Sequence, residues 1–228
     1  MSSMYENIMT LPLFRGVSYA KISEIIETSR LHFLKFSKGE VIAQAGEMCT
    51  HVRFIINGSV RLTIACKDQI SVEQTLKSPD VISPSYLFGM DNTYPGTAVA
   101  YDDDTAILQI TKSDYLKILD KDEVFMFNYL NLLAKGAQAN MSGLQALIGE
   151  SAEHRIAYWI LSFTQDDATD IKVNFSPEQL PDIFGIDGEE ALQALEKMTK
   201  KGLIYFSPDG IVVGSRRALR DIIYKTQI

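Results

Sequence analysis

The stretch FSPEQLPDIFGIDGEEALQALEKMTKKGLI, residues 175–204, predicts two short helices joined by a tight turn. Ser176, with a proline after it and Gln179 three residues on, has the pattern that caps the N terminus of a helix. Gly185 is expected to end this helix, and Asp187 to cap the next one. Two helices with a glycine in a short connection are typical of a helix-turn-helix.

A hairpin is predicted directly after the two helices. Residues 203–206 and 211–213 are apolar segments on either side of a turn at 207–210, which is typical of a two-stranded wing. The whole stretch resembles the winged helix-turn-helix of the CRP/FNR family of bacterial transcription regulators, and the spacing matches without a gap from Gly185 to Ile204. The resemblance implies a homodimer that binds a two-fold site on double-stranded DNA, with RNA polymerase as a further partner.

The residues expected to face DNA differ from the family pattern. The family carries arginines in the first turn of the second helix, where they bind guanine and phosphate. In this chain, Glu189 and Gln193 are the side chains there that can read a base edge. Lys197 and Lys200 could contact phosphate or could serve only as favourable charges near a helix C terminus. The candidate DNA-binding residues are Ser176, Asp187, Gly188, Glu189, Glu190, Gln193, Lys197 and Lys200.

The charge distribution also weighs against tight DNA binding. The chain has 22 Lys and Arg against 29 Asp and Glu, a net charge of -7. Residues 172–228 carry eight charges of each sign, so the negative excess lies in residues 1–171. Since nucleic-acid affinity usually depends on cations that release counterions, a neutral DNA-binding module is unusual. The arginines of the closing segment, Arg216, Arg217 and Arg220, are interpreted as a solvated helix face, with phosphate contact as the alternative.

Composition predicts a folded protein of the reducing cytoplasm. A hydrophobic content of 46% is sufficient for a core. Cys49 and Cys66 are too few for a disulfide framework, and the three histidines have no metal-ligand spacing, so we expect neither metal nor cofactor. No apolar run approaches the roughly 18 residues that span a membrane. No enzyme motif is present, which predicts a protein that is not an enzyme.

Residues 31–110 alternate with the period of β-strands. Five short strands are predicted, separated by turn signals such as Asn57-Gly58, and together they indicate a rolled antiparallel sheet. The glycine-spaced segment from Lys38 to Val60 resembles the cyclic-nucleotide-binding β-roll. The predicted fold is therefore α+β, with a jelly-roll-like β-roll, a long dimerisation helix and a winged helix-turn-helix. The predicted domains are 1–120, 121–149 and 150–228.

The segment that decides the ligand departs from the nucleotide-binding pattern. Relatives place a Gly-Glu pair where Ser83-Pro84 stands and an Arg-Ser pair near residues 94–97, and this chain has no Lys or Arg between Ser78 and Thr111. A buried phosphate without a cation would be costly, so we expect no response to cyclic AMP. The pocket is either filled by its own side chains or binds an unknown, less charged effector. Its candidate residues are Ile82, Ser83, Ser85, Tyr86, Tyr94 and Thr97.

A long helix is predicted from about Asp122, with two apolar stripes. One stripe can cover the β-roll and the other a second copy of the helix, while the alternative is that both belong to the core of one chain. The proposed dimer residues are Phe125, Tyr129, Leu132, Gly136, Ala139 and Gly143. The leading hypothesis is a homodimeric transcription regulator, and the alternative is a scaffold protein of the same fold that binds another protein.

Overall fold

The computed structural model describes residues 4–146 and 151–225, with side-chain surroundings for 6–138 and 151–223. The helices are α1 (Met4–Thr10), α2 (Tyr19–Thr28), α3 (Lys112–Lys121), α4 (Glu123–Ala146), α5 (Ala152–Ser162), α6 (Leu180–Phe184), α7 (Gly188–Lys200) and α8 (Arg216–Lys225). The strands are β1 (Leu31–Phe36), β2 (Val41–Ala43), β3 (His51–Asn57), β4 (Ser59–Ala65), β5 (Ser71–Lys77), β6 (Asp80–Val81), β7 (Thr97–Ala100), β8 (Thr105–Thr111), β9 (Thr169–Asn174), β10 (Ile204–Ser207) and β11 (Gly210–Val213).

The chain folds into two compact units. The first comprises Met1–Leu62 and Leu76–Ala137, and the second comprises Thr63–Thr75 and Gln138–Ile228. The outer part of the β4–β5 hairpin, residues 63–75, therefore belongs to the second unit, whereas the remainder of both strands belongs to the first. The domain boundaries predicted from the sequence instead place residues 63–75 in the first domain, 1–120, apart from the C-terminal residues.

The first unit is an antiparallel β-roll with helices beside it. One sheet has the strand order β1-β8-β3-β6, and strands β2, β7 and β4 form a second antiparallel group. Buried residues such as Val52 and Leu108 alternate with half-buried ones, because successive side chains point to opposite faces of a strand. Four of these strands, β1, β3, β4 and β8, coincide closely with the sequence prediction, whereas β2, β6 and β7 were not predicted.

The aromatic core of the first unit links the roll to its helices. The Phe14 ring lies 6.5 Å from Phe54 of β3 and 5.7 Å from Phe125 of α4, both in edge-on contact. Tyr115 of α3 contacts both Phe54 and Tyr129. Edge-to-face contacts of this kind stabilise beyond the area they bury. The N-terminal part of α4 is thereby fixed to the roll.

The second unit is an antiparallel sheet packed with short helices. Its strand order is β10-β11-β9-β5, so the wing hairpin continues through β9 into β5. Val173 of β9 and Ile211 of β11 are buried on one face, together with Ile156 and Ile160 of α5. Among the described residues, no helix is both long and apolar enough to cross a membrane.

Candidate nucleic-acid interface and sensor site

The predicted caps of the helix-turn-helix are present. The backbone N–H of Ser176 donates to Oε1 of Gln179 at 2.8 Å, at the start of a 3-10 turn that leads into α6. Gly185 ends α6 with a left-handed φ of 63°, and its N–H donates to the carbonyl of Pro181 at 2.9 Å. Oδ1 of Asp187 accepts from the N–H groups of Glu189 and Glu190 at the start of α7. Ser176 and Asp187, both candidate DNA contacts, thus serve as caps.

Helix α7 has a buried apolar side and an exposed side that begins with acids. Ala191, Leu195 and Met198 are buried. The amide of Gln193 lies 3.4 Å from the Glu189 carboxylate. Acids in a first turn suit the helix dipole but repel phosphate. The exposed side chains of α7 are Glu189, Glu190, Leu192, Gln193, Glu196, Lys197 and Lys200.

Lys197 is already engaged within the unit. Its ammonium group forms an ion pair and hydrogen bond with the carboxylate of Glu153 on α5, whose side chain is 12% exposed. Burial raises the pKa of Glu153, but hydrogen bonds from Lys197, from its own backbone N–H and from Ser151 outweigh burial and bring the pKa to about 2. Lys197 is therefore paired with an anion, while its side chain stays 61% exposed. Gly188 lies close to α6, since a Cβ there would stand 3.4 Å from Cγ of Pro181.

Arg216 is half-buried and hydrogen-bonded, which corrects the expectation of a solvated face at this position. Its Nε donates to Oγ1 of Thr164 at 3.0 Å and its Nη2 to the Thr164 carbonyl at 2.9 Å. Its Nη1 donates to the carbonyl and the carboxylate of Asp166, both at 3.1 Å. All of these partners lie in the linker between α5 and β9. Arg216 therefore fixes that linker, whereas Arg217 and Arg220 are exposed.

The candidate sensor residues have diverse surroundings. Ile82 and Ser83 are buried, and Ser83 has a left-handed φ of 48°. Ser85 is exposed and Tyr86 half-buried within the 3-10 turn Pro84–Tyr86. In β7, Oγ1 of Thr97 accepts from the N–H of Ala45 at 3.2 Å. Among these candidates, Tyr94 contacts a charged side chain.

Sequence analysis missed the partner of Tyr94, which is Arg53 on β3. Nη1 of Arg53 donates to the Tyr94 hydroxyl, its guanidinium lies 5.1 Å from the centre of that ring, and its Nε donates to Oε1 of Gln109 at 2.8 Å. The register pairs Arg53 with Gln109 across β3 and β8, which explains this contact. Arg53, Tyr94 and Gln109 come from three separate segments of the sequence, so no local pattern could predict that they are in contact.

Tyr94 and Cys49 remain uncharged near neutral pH. Burial raises the pKa of the Tyr94 hydroxyl, and a hydrogen bond with Cys49 raises it further, while Arg53 opposes the shift. Burial likewise raises the pKa of the Cys49 thiol. The Tyr94 hydroxyl also donates to the His51 carbonyl at 3.2 Å. The positive charge of this group comes from Arg53, which contacts the neutral side chains of Tyr94 and Gln109.

The dimer candidates on α4 divide between core and surface. Phe125 and Tyr129 are buried in the aromatic core of the first unit. Leu132 is half-buried and Gly136 is exposed, and the side-chain surroundings of Ala139 and Gly143 lie outside the described residues. A different set of large apolar side chains on this helix is exposed: Val124, Met126, Phe127 and Leu130.

Comparison with known proteins agrees with this architecture. Residues 33–122 match the cyclic nucleotide-binding domain family, a range that begins within β1 and extends to the end of α3. The cyclic AMP receptor protein of Thermus thermophilus is 22% identical over 219 residues, which cover 93% of this chain and 97% of that protein. The crystal structure of the Thermus thermophilus catabolite activator protein aligns with a TM-score of 0.54 at 20% identity, over 94% of this chain and 99% of the other.

Over nearly its whole length, the chain is therefore similar to a cyclic AMP receptor protein and shares the fold of a catabolite activator protein. The chain covers nearly the full length of the relatives it matches. Ser83, Pro84 and Tyr94 occupy the region where the sequence resemblance implies ligand contacts. Arg53 lies against Tyr94 from β3, a strand in which no ligand contact was expected.

Proposed function

We propose that this chain is a homodimeric transcription regulator that binds a two-fold site on double-stranded DNA. The observation that carries the proposal is the complete winged helix-turn-helix: α6 and α7 capped by Ser176 and Asp187, the left-handed turn at Gly185, and the β10–β11 wing. This arrangement presents the exposed side of α7, with Gln193 and Lys200, for insertion into a major groove.

The homodimer is supported by the exposed apolar side of α4. Phe127 is 65% exposed and Leu130 is 54% exposed, although both are large apolar side chains on a helix that is otherwise anchored in the core. Residues three apart lie on one side of a helix, so Phe127 and Leu130 form a continuous strip that a second copy of α4 can cover. A dimer with a two-fold axis suits two DNA half-sites.

The sensor responds to an effector other than cyclic AMP. The segment between Ser78 and Thr111 has no Lys or Arg, and the Tyr94 hydroxyl is occupied by Arg53 and the His51 carbonyl. Calorimetry with cyclic AMP and cyclic GMP is expected to give no heat of binding at micromolar nucleotide. Micromolar affinity for either would overturn this part of the proposal. Effector binding to the roll would shift the α4 helices and so change the distance between recognition helices.

One observation favours a second candidate, a regulator that binds a protein. The exposed side of α7 begins with Glu189 and Glu190, and Lys197 is paired with Glu153. An acidic helix whose lysine is paired with a carboxylate repels phosphate and attracts a basic surface. Retained helix spacing and an intact wing still favour DNA.

The decisive experiment is selection of bound fragments from a genomic DNA library at low and at physiological salt. Enrichment of a two-fold site, with affinity that falls as salt rises, is expected. Failure to select any site at either salt, from a protein shown to be a folded dimer, would favour the protein partner. RNA polymerase recruitment can then be tested on the selected site.

A further inference from the structure

Strand β5 belongs to the same sheet as the wing. Ser71, Val72 and Glu73 of β5 pair with Asn174, Val173 and Lys172 of β9, in antiparallel register. β9 pairs on its other edge with β11. Within the second unit, the sheet that supports the helix-turn-helix therefore includes a strand from a hairpin far upstream in sequence. Without β5, the backbone groups of one edge of β9 would lose their partners.

Gln74 on this strand holds the linker between α5 and β9. Its side chain is fully buried, at 0% exposure. Its Nε2 donates to the carbonyl of Phe163 at 2.9 Å, and its Oε1 accepts from the N–H of Gln165 at 2.7 Å. Both ends of the amide are thus used by backbone groups, so any apolar replacement removes a hydrogen bond from each of two part-buried groups. Arg216 binds the same linker from α8.

The end of the hairpin contacts the start of the helix-turn-helix. Nε2 of Gln179 donates to the Asp68 carbonyl at 2.6 Å, while its Oε1 accepts from the N–H of Ser176. Gln179 therefore both caps the first helix and connects it to the β4–β5 hairpin. Asn174 makes a second side-chain connection, donating to Ser71 Oγ and Glu73 Oε1, both at 3.0 Å.

We infer that the hairpin Thr63–Thr75 is a positioning element of the helix-turn-helix, with Gln74 as its central positioning residue. β4 and β5 continue without a break into residues of the first unit, so a shift of these strands on effector binding is carried directly to the linker and to α6. The shift then reaches the DNA-reading helix through the continuous chain of β4 and β5 and through the hydrogen bonds of Gln74 and Gln179. The DNA-reading part of this inference rests on the proposed function.

Hydrogen exchange in the full-length protein tests the inference without DNA. Gln74→Met keeps the length of the side chain and removes both hydrogen bonds. We expect at least tenfold faster exchange in the linker, residues 164–168, and also in residues 176–185 of the helix-turn-helix. Lys77→Met is the matched control, because Lys77 is an exposed residue on the same strand, and it should leave exchange unchanged. If Gln74→Met does not fold, Asn174→Ala is used in its place.

Each outcome bears on the inference. Faster exchange limited to the linker would show a local anchor and overturn the positioning role. Unchanged exchange in both segments would overturn the role of Gln74 altogether. With a selected DNA site, Gln74→Met should also change affinity at least threefold, and unchanged affinity would argue against positioning. Since the exchange experiment needs no DNA, it can succeed or fail independently of the proposed function.

Discussion

Glu153 and Lys197 join α5 to α7, and their pair should be visible in the pH dependence of stability. The pKa of Glu153 is about 2 in the folded protein, below its ordinary value of 4.5. A carboxyl with a lowered folded pKa stabilises the fold above the unfolded pKa, and this stabilisation is lost as pH falls from about 4.5 to about 2. Glu153→Gln should therefore lower the free energy of unfolding by about 1 kcal/mol at pH 7 and make much less difference at pH 2.

Denaturant unfolding at pH 7 and at pH 2 measures this effect. Glu196→Gln is the matched control, since Glu196 is an exposed carboxylate on α7. It should leave the free energy of unfolding nearly unchanged at both pH values. Equal loss of stability at pH 7 and pH 2 in Glu153→Gln would show that the charge of Glu153 is not responsible.

Gly210, at the first position of β11, cannot carry a side chain. Its φ is 129°, and a Cβ there would stand 2.0 Å from the carbonyl oxygen of Val173 on β9. Gly210→Ala should cost more than about 2 kcal/mol of unfolding free energy, because the β9–β11 pairing must separate. Gly202→Ala is the comparison: its φ is 69° with open space around it, so only backbone strain of roughly 1 kcal/mol is expected. Thermal unfolding that ranks the two variants equally would contradict this explanation.

Local signals in the sequence were sufficient to predict the caps and most of the strands. Ser176, Gly185 and Asp187 act on neighbours within four residues, so their roles follow from spacing alone. Side-chain partners that come from distant segments could not be predicted in this way. Gln74 and Gln165 are 91 residues apart, and Arg53 and Gln109 are 56 apart. Such pairs depend on strand register, which one sequence does not specify beyond its alternation.

Helix α4 shows the same limit at the level of a whole element. Its period predicted two apolar stripes, but the pattern could not assign each stripe to a partner. Phe125 and Tyr129 were proposed for the dimer and lie in the core, because Phe14, Tyr115 and Phe88 surround them. The exposed strip consists instead of Phe127 and Leu130.

The exposed strip of α4 yields a prediction about oligomeric state. Phe127→Glu places a charge in the proposed contact with a second α4, so we expect the dimer to dissociate into folded monomers. Sedimentation equilibrium measures the mass, and circular dichroism confirms the fold. Leu116→Glu is the control, because Leu116 is an exposed leucine on α3, at 48% exposure, and should not change the mass. A Phe127→Glu protein that remains a dimer would place the interface elsewhere.

The charges of residues 172–228 determine how DNA binding should depend on salt. Residues 172–228 carry no net charge, and Lys197 is paired with Glu153, which leaves Lys200 and Lys201 as the exposed cations at the end of α7. Four phosphate contacts per dimer predict a slope of log affinity against log salt of about -3.6, shallow for a regulator. Lys200→Gln removes one contact per protomer and should bring the slope to about -1.8, with weaker binding of every sequence. Lys172→Gln, on β9, is the control and should leave the slope unchanged. If the slope is also unchanged in Lys200→Gln, α7 does not lie against the phosphate backbone.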